Sequence, residues 1–348
     1  MKIKNFNISS KNKSFIIAEI GQNHDGSLGT LHSYIDAVAS TGVEAIKFQM
    51  HLAEYESSYQ EPFRVNFARQ DKTRFDYWKR MEFSISQWQE IADHCNEVGL
   101  IFLCSPFSIE AVDILKSLKV PAWKIGSGEI YNDDLLEYIF MLDEPTIIST
   151  GMSNWADIDN VYNKIKYYRL KNFSFLQCTS SYPVDITSLG LNVINEIKER
   201  YNCSVGFSDH SGDIFCSLAA ISNQAEILEL HVTFDKRLYG PDIKSSLTIE
   251  ELNFVNKYAL SLNKLKNNPV DKDEIYAKFE TYRSFFSRSI GFNKDMKKGD
   301  RISKNDLTLL KPGSGISKNN IDKLINKKLV KNVKKNNLVK WDDLLNEA

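Results

Sequence analysis

Short apolar runs of strand length alternate with segments of helical periodicity along the first three quarters of the chain. The first run, at residues 15–20, leads into a turn at 21–26, after which apolar positions recur at helical spacing over 31–40 until Gly42. The predicted strands are residues 15–20, 45–49, 100–104, 122–126, 146–149, 173–177, 204–207 and 227–230. The predicted helices are residues 31–40, 86–98, 109–118, 134–142, 154–170, 193–201, 214–222 and 248–265, the last opening with a capping box at Thr248 and Glu251.

Eight strand–helix units in about 250 residues predict an α/β chain whose main domain is a (β/α)8 TIM barrel. An open doubly wound sheet is the structural alternative, but it usually needs fewer units and leaves edge strands. One connection is unusually long, because residues 50–83, rich in aromatic and charged side chains, separate the second strand from its helix. Long connections at the carboxyl ends of barrel strands are more often functional than accidental, so this segment is predicted to be a lid or a subunit contact.

A change of composition after residue 265 predicts a second, smaller domain. Residues 266–282 begin with a polar stretch that contains Pro269 and are predicted to be a linker between the barrel at 1–265 and a small domain at 283–348. From Arg283 to the end there are 16 Lys and Arg against 7 Asp and Glu. Such a basic unit fits either nucleic acid or a lid over an anionic substrate. Its few aromatic residues to interleave with the lysines argue against nucleic acid.

The composition also bounds the location and the redox chemistry of the protein. There is no run of 18 apolar residues and no charged, apolar and small-residue leader, so we expect a cytoplasmic protein that makes no use of a membrane. The five cysteines are scattered and form no C-x-x-C pair, and we therefore expect reduced, mostly buried thiols.

Two histidines follow neighbouring predicted strands. His210 comes after the strand at 204–207, and His231 comes after the strand at 227–230. Adjacent strands lie about 4.8 Å apart, so both imidazoles can face one ion. Two protein ligands leave an open coordination shell, which suits a catalytic metal. The alternative is a pair of strand-end histidines satisfied by hydrogen bonds.

Other polar side chains collect at the predicted carboxyl ends of the strands, where a TIM barrel carries its active site. They are Glu19, Lys47, Gln49, Ser105, Lys124, Ser127, Glu129, Ser149, Thr179 to Tyr182, Ser208, His210 and His231. Lys47 and Lys124 lie inside apolar runs and need a partner, because an unpaired buried ammonium is costly. Together with the hydroxyls they predict a cradle for a phosphate plus a carboxylate, unless both lysines extend to the rim. Glu19 and Glu129 either form salt bridges with them or handle a proton.

An ordered set of motifs gives the chain a family resemblance. The motifs are Ile17-Ala-Glu-Ile-Gly-Gln-Asn-His-Asp-Gly26, Lys47-Phe-Gln49, Lys124-Ile-Gly-Ser-Gly-Glu129, Ser149-Thr-Gly-Met152, Cys178-Thr-Ser-Ser-Tyr-Pro183, Ser208-Asp-His210 and Gly240-Pro-Asp242. The chain resembles the bacterial sialic acid (N-acetylneuraminate) synthase family over nearly its whole length. The part after the linker resembles the antifreeze-like (SAF) domain that ends those enzymes.

The resemblance implies an activity and a set of site residues. Members of the family are transferases that condense phosphoenolpyruvate with an N-acylated aminohexose, usually N-acetylmannosamine, and release phosphate, using Mn²⁺ or another divalent cation such as Mg²⁺. By resemblance, His210 and His231 hold the metal, and Glu19, Lys47, Lys124 and Glu129 are catalytic. The residues expected to bind the two substrates are Gln49, Ser105, Ser127, Ser149, Ser180, Tyr182, Ser208, Asp242, Phe286 and Lys311.

The resemblance also implies a domain-swapped homodimer, and it leaves the acceptor sugar open. This chain has Lys311 where family members often carry an arginine that contacts the sugar's acyl group from the partner subunit, Ser180 where some carry asparagine, and Leu230 where a lysine is frequent. N-acetylneuraminate synthesis is the first expectation, and legionaminate or pseudaminate synthesis from a 6-deoxy diacetamido sugar is the alternative in the same class. Outside that class stands a non-catalytic barrel with a basic binding module.

Overall fold

The computed structural model describes residues 1–65, 67 and 69–345 of the 348-residue chain. Two compact units divide it, Met1–Asn267 and Asn268–Ala348. No helix in the described part of the chain is long and apolar enough to cross a membrane.

The five cysteines have free thiols, and all except the half-buried Cys203 are buried, which confirms the prediction of reduced, mostly buried thiols.

Eight parallel strands form the sheet of the first unit. They are β1 (Phe15–Glu19), β2 (Ala45–Met50), β3 (Ile101–Pro106), β4 (Trp123–Ile125), β5 (Thr146–Ser149), β6 (Phe173–Cys178), β7 (Ser204–Asp209) and β8 (Ile227–Thr233). The hydrogen-bonded order is β3-β2-β1-β8-β7-β6-β5-β4. Because β3 and β4 at the two ends lie side by side, the sheet is a nearly closed barrel. The TIM-barrel prediction is confirmed, and the open doubly wound sheet was the wrong alternative.

Eight helices surround the barrel and follow the strands in turn. They are α1 (Leu28–Ser40), α2 (Ile85–Glu97), α3 (Ile109–Ser117), α4 (Asp133–Met141), α5 (Trp155–Tyr167), α6 (Leu191–Tyr201), α7 (Ile214–Ser222) and α8 (Ile249–Lys266). The predicted capping box of Thr248 and Glu251 is present, and it satisfies backbone N–H groups that the first turn of α8 would otherwise leave unpaired. A main core lies between the helices and the outward-facing strand residues, such as Ile16, Ala18 and Ile46.

The interior of the barrel changes from apolar to charged along the strand direction. Its lower layer is a separate apolar cluster that includes Ile17, Ala45, Ile101, Leu103, Ala122, Ile147, Leu176 and Ile227. Side chains two positions apart point to the same face of a strand. The next interior positions therefore follow from the sequence, and they are Glu19, Lys47, Ser105, Lys124, Ser149, Cys178, Ser208 and Glu229. The apolar layer seals the barrel under a polar layer at the carboxyl ends of the strands.

The long connection between β2 and α2 has structure of its own. It contains two short helices, Ala53–Glu56 and Arg74–Met81. Tyr77, Trp78 and Met81 bury their side chains in a small apolar cluster with Ala53, against which Phe63, Phe67 and Phe75 pack. The segment is thus a packed element beside the barrel mouth, and it is called the β2–α2 segment below.

The second unit has its own core. Strands Ser289–Phe292 and Leu307–Leu310 pair antiparallel, and helices Lys272–Lys278 and Glu280–Phe286 precede them. The core residues are Ile290, Phe292, Met296, Ile302, Ile316, Leu324, Leu329, Val333, Val339 and Leu344. The stretch predicted to be a linker, 266–282, holds the end of α8 and the helix Lys272–Lys278 rather than extended chain.

Short elements complete the described chain. A two-residue ladder, Lys2–Ile3 with Phe6–Asn7, stands at the amino-terminal side of the barrel, where Ile3 and Ile8 join the lower apolar layer. Strand Ser246–Thr248 pairs with β8. Short 3-10 helices occupy Ser127–Tyr131, Ile186–Ser188, Ile243–Ser245, Lys304–Asp306, Lys318–Lys323 and Trp341–Asp343.

Candidate active site

A cavity of about 300 Å³ opens at the carboxyl ends of the barrel strands. It brings together most of the side chains that the sequence selected. The predicted residues that line it are Glu19, Lys47, Gln49, Ser105, Lys124, Ser127, Ser149, Ser180, Tyr182, Ser208, His210, His231 and Asp242. These residues come from β1 to β8 and the turns that follow them, so closure of the barrel is what assembles the site.

The floor of the cavity is a chain of four buried charges. Lys47 Nζ lies 2.6 Å from Glu19 Oε2 and 3.8 Å from Glu229 Oε2, and Lys124 Nζ lies 3.4 Å from Glu229 Oε1. Two ammonium groups and two carboxylates balance one another, which a buried cluster requires. Neither lysine extends to the rim, since both are almost fully buried. The prediction of buried, paired lysines is confirmed at both positions.

Sequence reasoning missed Glu229, although the same argument that selected the lysines applies to it. The residue lies inside the apolar run of β8, where its register partner on β7 is Ser208, and the Ser208 hydroxyl donates to Glu229 Oε1 at 3.0 Å. A charged residue within an apolar strand signals a partner on the same layer. Glu229 is that partner for both lysines.

Burial and ion pairing shift the pKa values of the two floor carboxylates in opposite directions. Burial raises the pKa of Glu19, and the ammonium of Lys47 only partly offsets this. Burial would also raise the pKa of Glu229, but Lys124 and Lys47 with the Ser208 hydroxyl hold it at about 2. Burial lowers the pKa of Lys124 despite the nearby Glu229. Glu19 is thus the carboxyl group suited to carry a proton, and Glu229 stays ionised.

Hydroxyl groups surround the two ammonium groups. Lys47 Nζ donates to Ser105 Oγ at 3.2 Å, and Lys124 Nζ donates to Ser149 Oγ at 2.8 Å. Ser127 accepts the N–H of Gly151 at 3.0 Å. A side chain at Gly151 would meet the Ser127 and Ser180 hydroxyls, so only glycine leaves them room. Lysines with convergent hydroxyl donors are the groups that bind a small polyanion.

The two predicted metal ligands lie together at the side of this floor. The ring centroids of His210 and His231 are 5.5 Å apart. His210 Nδ1 lies 3.2 Å from the carbonyl oxygen of Thr179, which fixes the ring and leaves its Nε2 for another partner. His231 Nδ1 is buried without a hydrogen bond in the described structure. Burial chiefly lowers the pKa of His231, to about 4, so the ring is neutral at pH 7 and able to ligate a metal.

These two imidazoles fit the divalent ion that the sequence predicted, as a pair with an open shell. Among the described residues no group of three or more His, Cys, Asp or Glu side chains is arranged to hold a metal. Substrate or water would have to supply the remaining ligands of such an ion. The main chain leaves little space around this side of the site, since a Cβ at Gly21 would lie about 3 Å from the His231 ring and near Asp242.

Amide and phenol groups line the wall nearer the mouth. Gln49 Nε2 donates to Glu19 Oε1 at 2.7 Å, and Gln49 Oε1 lies 3.1 Å from His51 Nε2. The His51 ring stacks between Trp78 and Phe107, at 3.8 and 4.1 Å between centroids. Sequence reasoning missed His51, because its role depends on the β2–α2 segment, whose fold no periodicity predicts.

Sequence reasoning also missed Arg64 of the β2–α2 segment. Its side chain lines the cavity and forms an ion pair with Asp242. Burial would raise the pKa of Asp242, but His231 and Arg64 hold it below its usual range.

The other three predicted site residues are Glu129, Phe286 and Lys311. Glu129 is half-buried on the turn after β4, accepts from Asn132 Nδ2 at 3.1 Å, and is not among the residues that line the cavity. Burial raises the pKa of Glu129. Phe286 and Lys311 belong to the second unit, where both are exposed and Lys311 Nζ lies 5.4 Å from the Phe286 ring centroid. Their contacts to a substrate stay predictions.

His24, in the turn after β1, gives the fold a testable dependence on pH. The ring is 2% exposed, accepts the N–H of Gly26 on Nδ1 and packs against Phe83. Burial lowers the His24 pKa to about 3, against 6.5 for the free side chain. Between these values the unfolded chain binds a proton that the folded chain does not, so stability falls as pH falls below 6.5. The expected slope from this group is about 1.4 kcal/mol per pH unit.

Urea unfolding at several pH values from 6.5 to 5 measures that slope. His24→Asn keeps an acceptor for Gly26 and has no titrating ring, so its slope should be shallower than that of the wild-type protein by the amount above. Equal slopes in the two proteins would show that His24 does not titrate on unfolding.

The chain matches two protein-family models. Residues 34–269 match the NeuB family model, and residues 287–345 match the SAF domain. The chain is 31% identical to N,N'-diacetyllegionaminic acid synthase of Campylobacter jejuni, covering 94% of this chain and 99% of that protein. It is 35% identical to human N-acetylneuraminate-9-phosphate synthase over 70% of this chain and 69% of that one.

A solved structure agrees with these sequence relatives. The N-acetylneuraminic acid (sialic acid) synthetase of Leptospira borgpetersenii superposes with a TM-score of 0.71 at 28% identity, covering 81% of this chain and 96% of the other. The ordered motifs, the barrel and the SAF match agree. The chain belongs to the NeuB family of sialic-acid-type synthases, with a SAF domain at its carboxyl end.

Proposed function

We propose that the protein condenses phosphoenolpyruvate with an N-acylated amino sugar to give a nonulosonic acid and phosphate. The proposal rests on one observation, a single cavity that holds two different sets of functional groups side by side. Buried Lys47 and Lys124 with their hydroxyls suit a phosphate and a carboxylate, and the pair His210 and His231 suits a divalent cation beside them.

The reaction matches the residue types in the cavity. C3 of phosphoenolpyruvate forms the new bond to the aldehyde carbon of the open-chain sugar, water adds to C2, and phosphate leaves as the C2–O bond breaks. The nucleophile belongs to the substrate, so no serine or cysteine nucleophile is needed. Lys47 and Lys124 hold the phosphate and carboxylate and fix C3 for attack, which removes much of the entropic part of the barrier.

His210 and His231 would hold Mn²⁺ or Mg²⁺, which supplies Lewis-acid stabilisation of negative charge on the aldehyde oxygen. Proton transfer is assigned to the protein's own side chains. Glu19 faces His231 across the β1–β8 ladder and has a raised pKa, so it can take a proton from the attacking water. Glu229 keeps its charge and holds both lysines in place.

The acceptor is proposed as N-acetylmannosamine, giving N-acetylneuraminate. Similarity to a legionaminic acid synthase over nearly the whole chain favours a 6-deoxy diacetamido sugar as the second candidate. The test is mass analysis of the products after incubation with phosphoenolpyruvate, Mn²⁺ and a panel that contains both sugars and N-acetylmannosamine 6-phosphate. Absence of phosphate release with every sugar in the panel would refute the proposed reaction.

A homodimer in which each SAF domain acts on the barrel of the other copy is also proposed, on the family resemblance and on the basic charge of that domain. Lys311→Ala should then raise KM for the sugar about 5- to 150-fold, by the loss of one charged hydrogen bond. Mixing this variant with a His210→Ala chain, after reversible dissociation, should restore activity. Half of the random dimers are mixed, and each carries one intact site, so about a quarter of the wild-type kcat/KM is expected.

The control is each variant taken alone through the same dissociation and reassociation. Activity of the mixture equal to the average of the two variants would refute action in trans. A fully active monomer in sedimentation would refute the dimer itself.

A further inference from the structure

The β2–α2 segment places a guanidinium group against Tyr182 and Asp242, two of the residues that the family resemblance predicts to bind substrate. Arg64 Nη2 donates to Asp242 Oδ1 at 2.6 Å, and Arg64 Cζ lies 3.9 Å from the centroid of the Tyr182 ring. The Tyr182 ring lies 4.3 Å from the His210 ring, between centroids. Arg64 therefore lies at the mouth of the cavity, where it contacts Tyr182, which in turn packs against the predicted metal ligand His210.

The segment that carries Arg64 is anchored on both sides of it. Glu61 accepts from Trp78 Nε1 at 3.1 Å and pairs with Arg74 at 3.2 Å. Arg80 pairs with Asp71 at 2.9 Å through Nη2, and its Nη1 also reaches Asp25 in the turn after β1. A binding group held in advance loses less entropy when the ligand arrives. Arg64 is thus a prepared contact at the mouth of the cavity.

Arg64 supplies hydrogen-bond donors on this wall of the cavity, and Asp242 supplies acceptors. Both hydrogen bonds that Arg64 makes in the described part of the chain use Nη2, which donates to Asp242 Oδ1 and, at 3.5 Å, to the Pro241 carbonyl oxygen, so Nε and Nη1 are left for a ligand. The side chain is 37% exposed and lines the cavity. A guanidinium can only donate, and the ionised carboxylate of Asp242 can only accept. A sugar hydroxyl can serve Asp242, whereas the carbonyl oxygen of an acylamino group, which only accepts, fits Arg64.

The surroundings of Arg64 favour an acyl group over a phosphate. Phe63, Val65, Phe67 and Phe107 line the same cavity and offer apolar contacts for an acyl methyl. The guanidinium of Arg64 is already balanced by Asp242, and that of Arg74 by Glu61. A dianionic phosphate at this wall would repel both carboxylates, since neither arginine has spare charge.

We infer that Arg64 is a specificity-determining residue that donates a hydrogen bond to the acyl oxygen of an unphosphorylated N-acylated amino sugar. This inference rests on the proposed function and names the part of the acceptor that the barrel itself recognises. It assigns to the β2–α2 segment a role in choosing the acceptor.

The test compares wild-type protein with Arg64→Ala and Arg64→Lys, and uses Arg69→Ala as a matched control. Arg69 lies on the same segment, bonds the Tyr239 hydroxyl at 3.0 Å and is outside the cavity lining. Calorimetry with Mn²⁺ and without phosphoenolpyruvate gives Kd for N-acetylmannosamine, a 2,4-diacetamido-6-deoxyhexose, N-acetylmannosamine 6-phosphate and mannose, which has no acyl group. Steady-state kinetics then give kcat and both KM values with each sugar that turns over.

Arg64→Ala should raise Kd and KM for the acylated sugar that the wild-type protein binds best by about 10- to 100-fold, the usual effect of a lost charged hydrogen bond. KM for phosphoenolpyruvate should change less than about 2-fold, because only acceptor binding is affected. Arg64→Lys should regain part of the loss, Arg69→Ala should match the wild-type protein, and mannose should bind equally weakly to wild type and Arg64→Ala.

Equal Kd values for the acylated sugars in wild type and Arg64→Ala would overturn the inference. So would an equal loss with mannose, which would mean that Arg64 only supports Asp242, or tighter binding of the 6-phosphate than of its parent sugar. Failure of the proposed reaction would look different, since sugar would bind with these differences but no phosphate would be released.

Discussion

Replacing Glu229 with glutamine is expected to lower the free energy of unfolding by about 3 to 5 kcal/mol, the usual cost of breaking a buried ion pair from one side. Glu229 is the carboxylate that both lysines share, at 3.4 Å from Lys124 and 3.8 Å from Lys47. Lys47 would keep Glu19 as a partner at 2.6 Å. Lys124 would keep only the Ser149 hydroxyl and the Ile125 carbonyl, so its buried charge would lose its carboxylate partner.

A double-mutant cycle measures this coupling directly. Lys124→Met and Glu229→Gln are combined, and urea unfolding gives the free energy for each of the four proteins. The double variant should be more stable than the sum of the two single effects predicts, by roughly 2 kcal/mol or more, because neither charge is left alone.

An exposed pair on the same fold provides the control. Lys79 lies 3.1 Å from Glu54 and 3.2 Å from Glu82, with about half of its own side chain accessible, and Lys79→Met should cost about 0 to 1 kcal/mol. If Glu229→Gln lowers the free energy of unfolding by no more than this control does, Glu229 does not stabilise the two buried lysines. Its assignment as their shared partner is then wrong.

The sequence predicted the barrel and most of its interior because both depend on short-range periodicity. Ile17 and Glu19, Ala45 and Lys47, or Ala122 and Lys124 are two positions apart, so each apolar residue of the lower layer identifies the polar residue above it. A charge inside an apolar strand therefore indicates a buried partner in the same layer of the barrel. Glu229 carried the same signal as the lysines, and applying the rule to acids as well as bases would have found it.

The mouth of the cavity was not predictable in the same way. Arg64 and His51 reach the site through the fold of the β2–α2 segment, which rests on contacts between Tyr77, Trp78, Met81 and several phenylalanines rather than on a repeating pattern. Aromatic residues separated by irregular chain have no fixed period, so the sequence indicated that the segment is functional without indicating which side chain faces the cavity. Glu129 stays a prediction that rests on its motif position alone, since it is half-buried on the turn after β4 and is not among the residues that line the cavity.

The predicted end of the barrel domain, residue 265, lies close to Asn267, where the first unit ends, but the form of the chain after it was harder to predict. The polar composition of residues 266–282 indicated a linker, whereas helix Lys272–Lys278 forms there with Asp271 as its N-cap. Short polar helices carry no buried stripe, so they are not separated from loops by hydrophobic periodicity.

Removal of a divalent cation is expected to abolish phosphate release, and Mn²⁺ is expected to restore it. His210→Ala and His231→Ala should each lower kcat/KM by about 100- to 1000-fold, since a metal commonly supplies several kcal/mol of transition-state stabilisation and one imidazole holds it poorly. The fold should persist, because each change removes a ring that lines the cavity rather than one partner of an ion pair in the charged floor. Far-UV circular dichroism and urea unfolding check this.

The matched control for these variants is His32→Ala. His32 lies on α1, and its Nδ1 is 2.8 Å from His94 Nδ1 on α2, away from the cavity lining. This variant changes the histidine content equally and should keep full activity. Electron paramagnetic resonance of added Mn²⁺ gives a readout that does not depend on turnover, because the six-line signal of the free ion decreases when the ion binds. Wild type and His32→Ala should remove the same amount of free Mn²⁺, and His210→Ala or His231→Ala should remove less. Full activity in EDTA, or unchanged Mn²⁺ binding in both cavity variants, would show that the two imidazoles serve the fold through hydrogen bonds and that the charge on the aldehyde oxygen is stabilised by other groups.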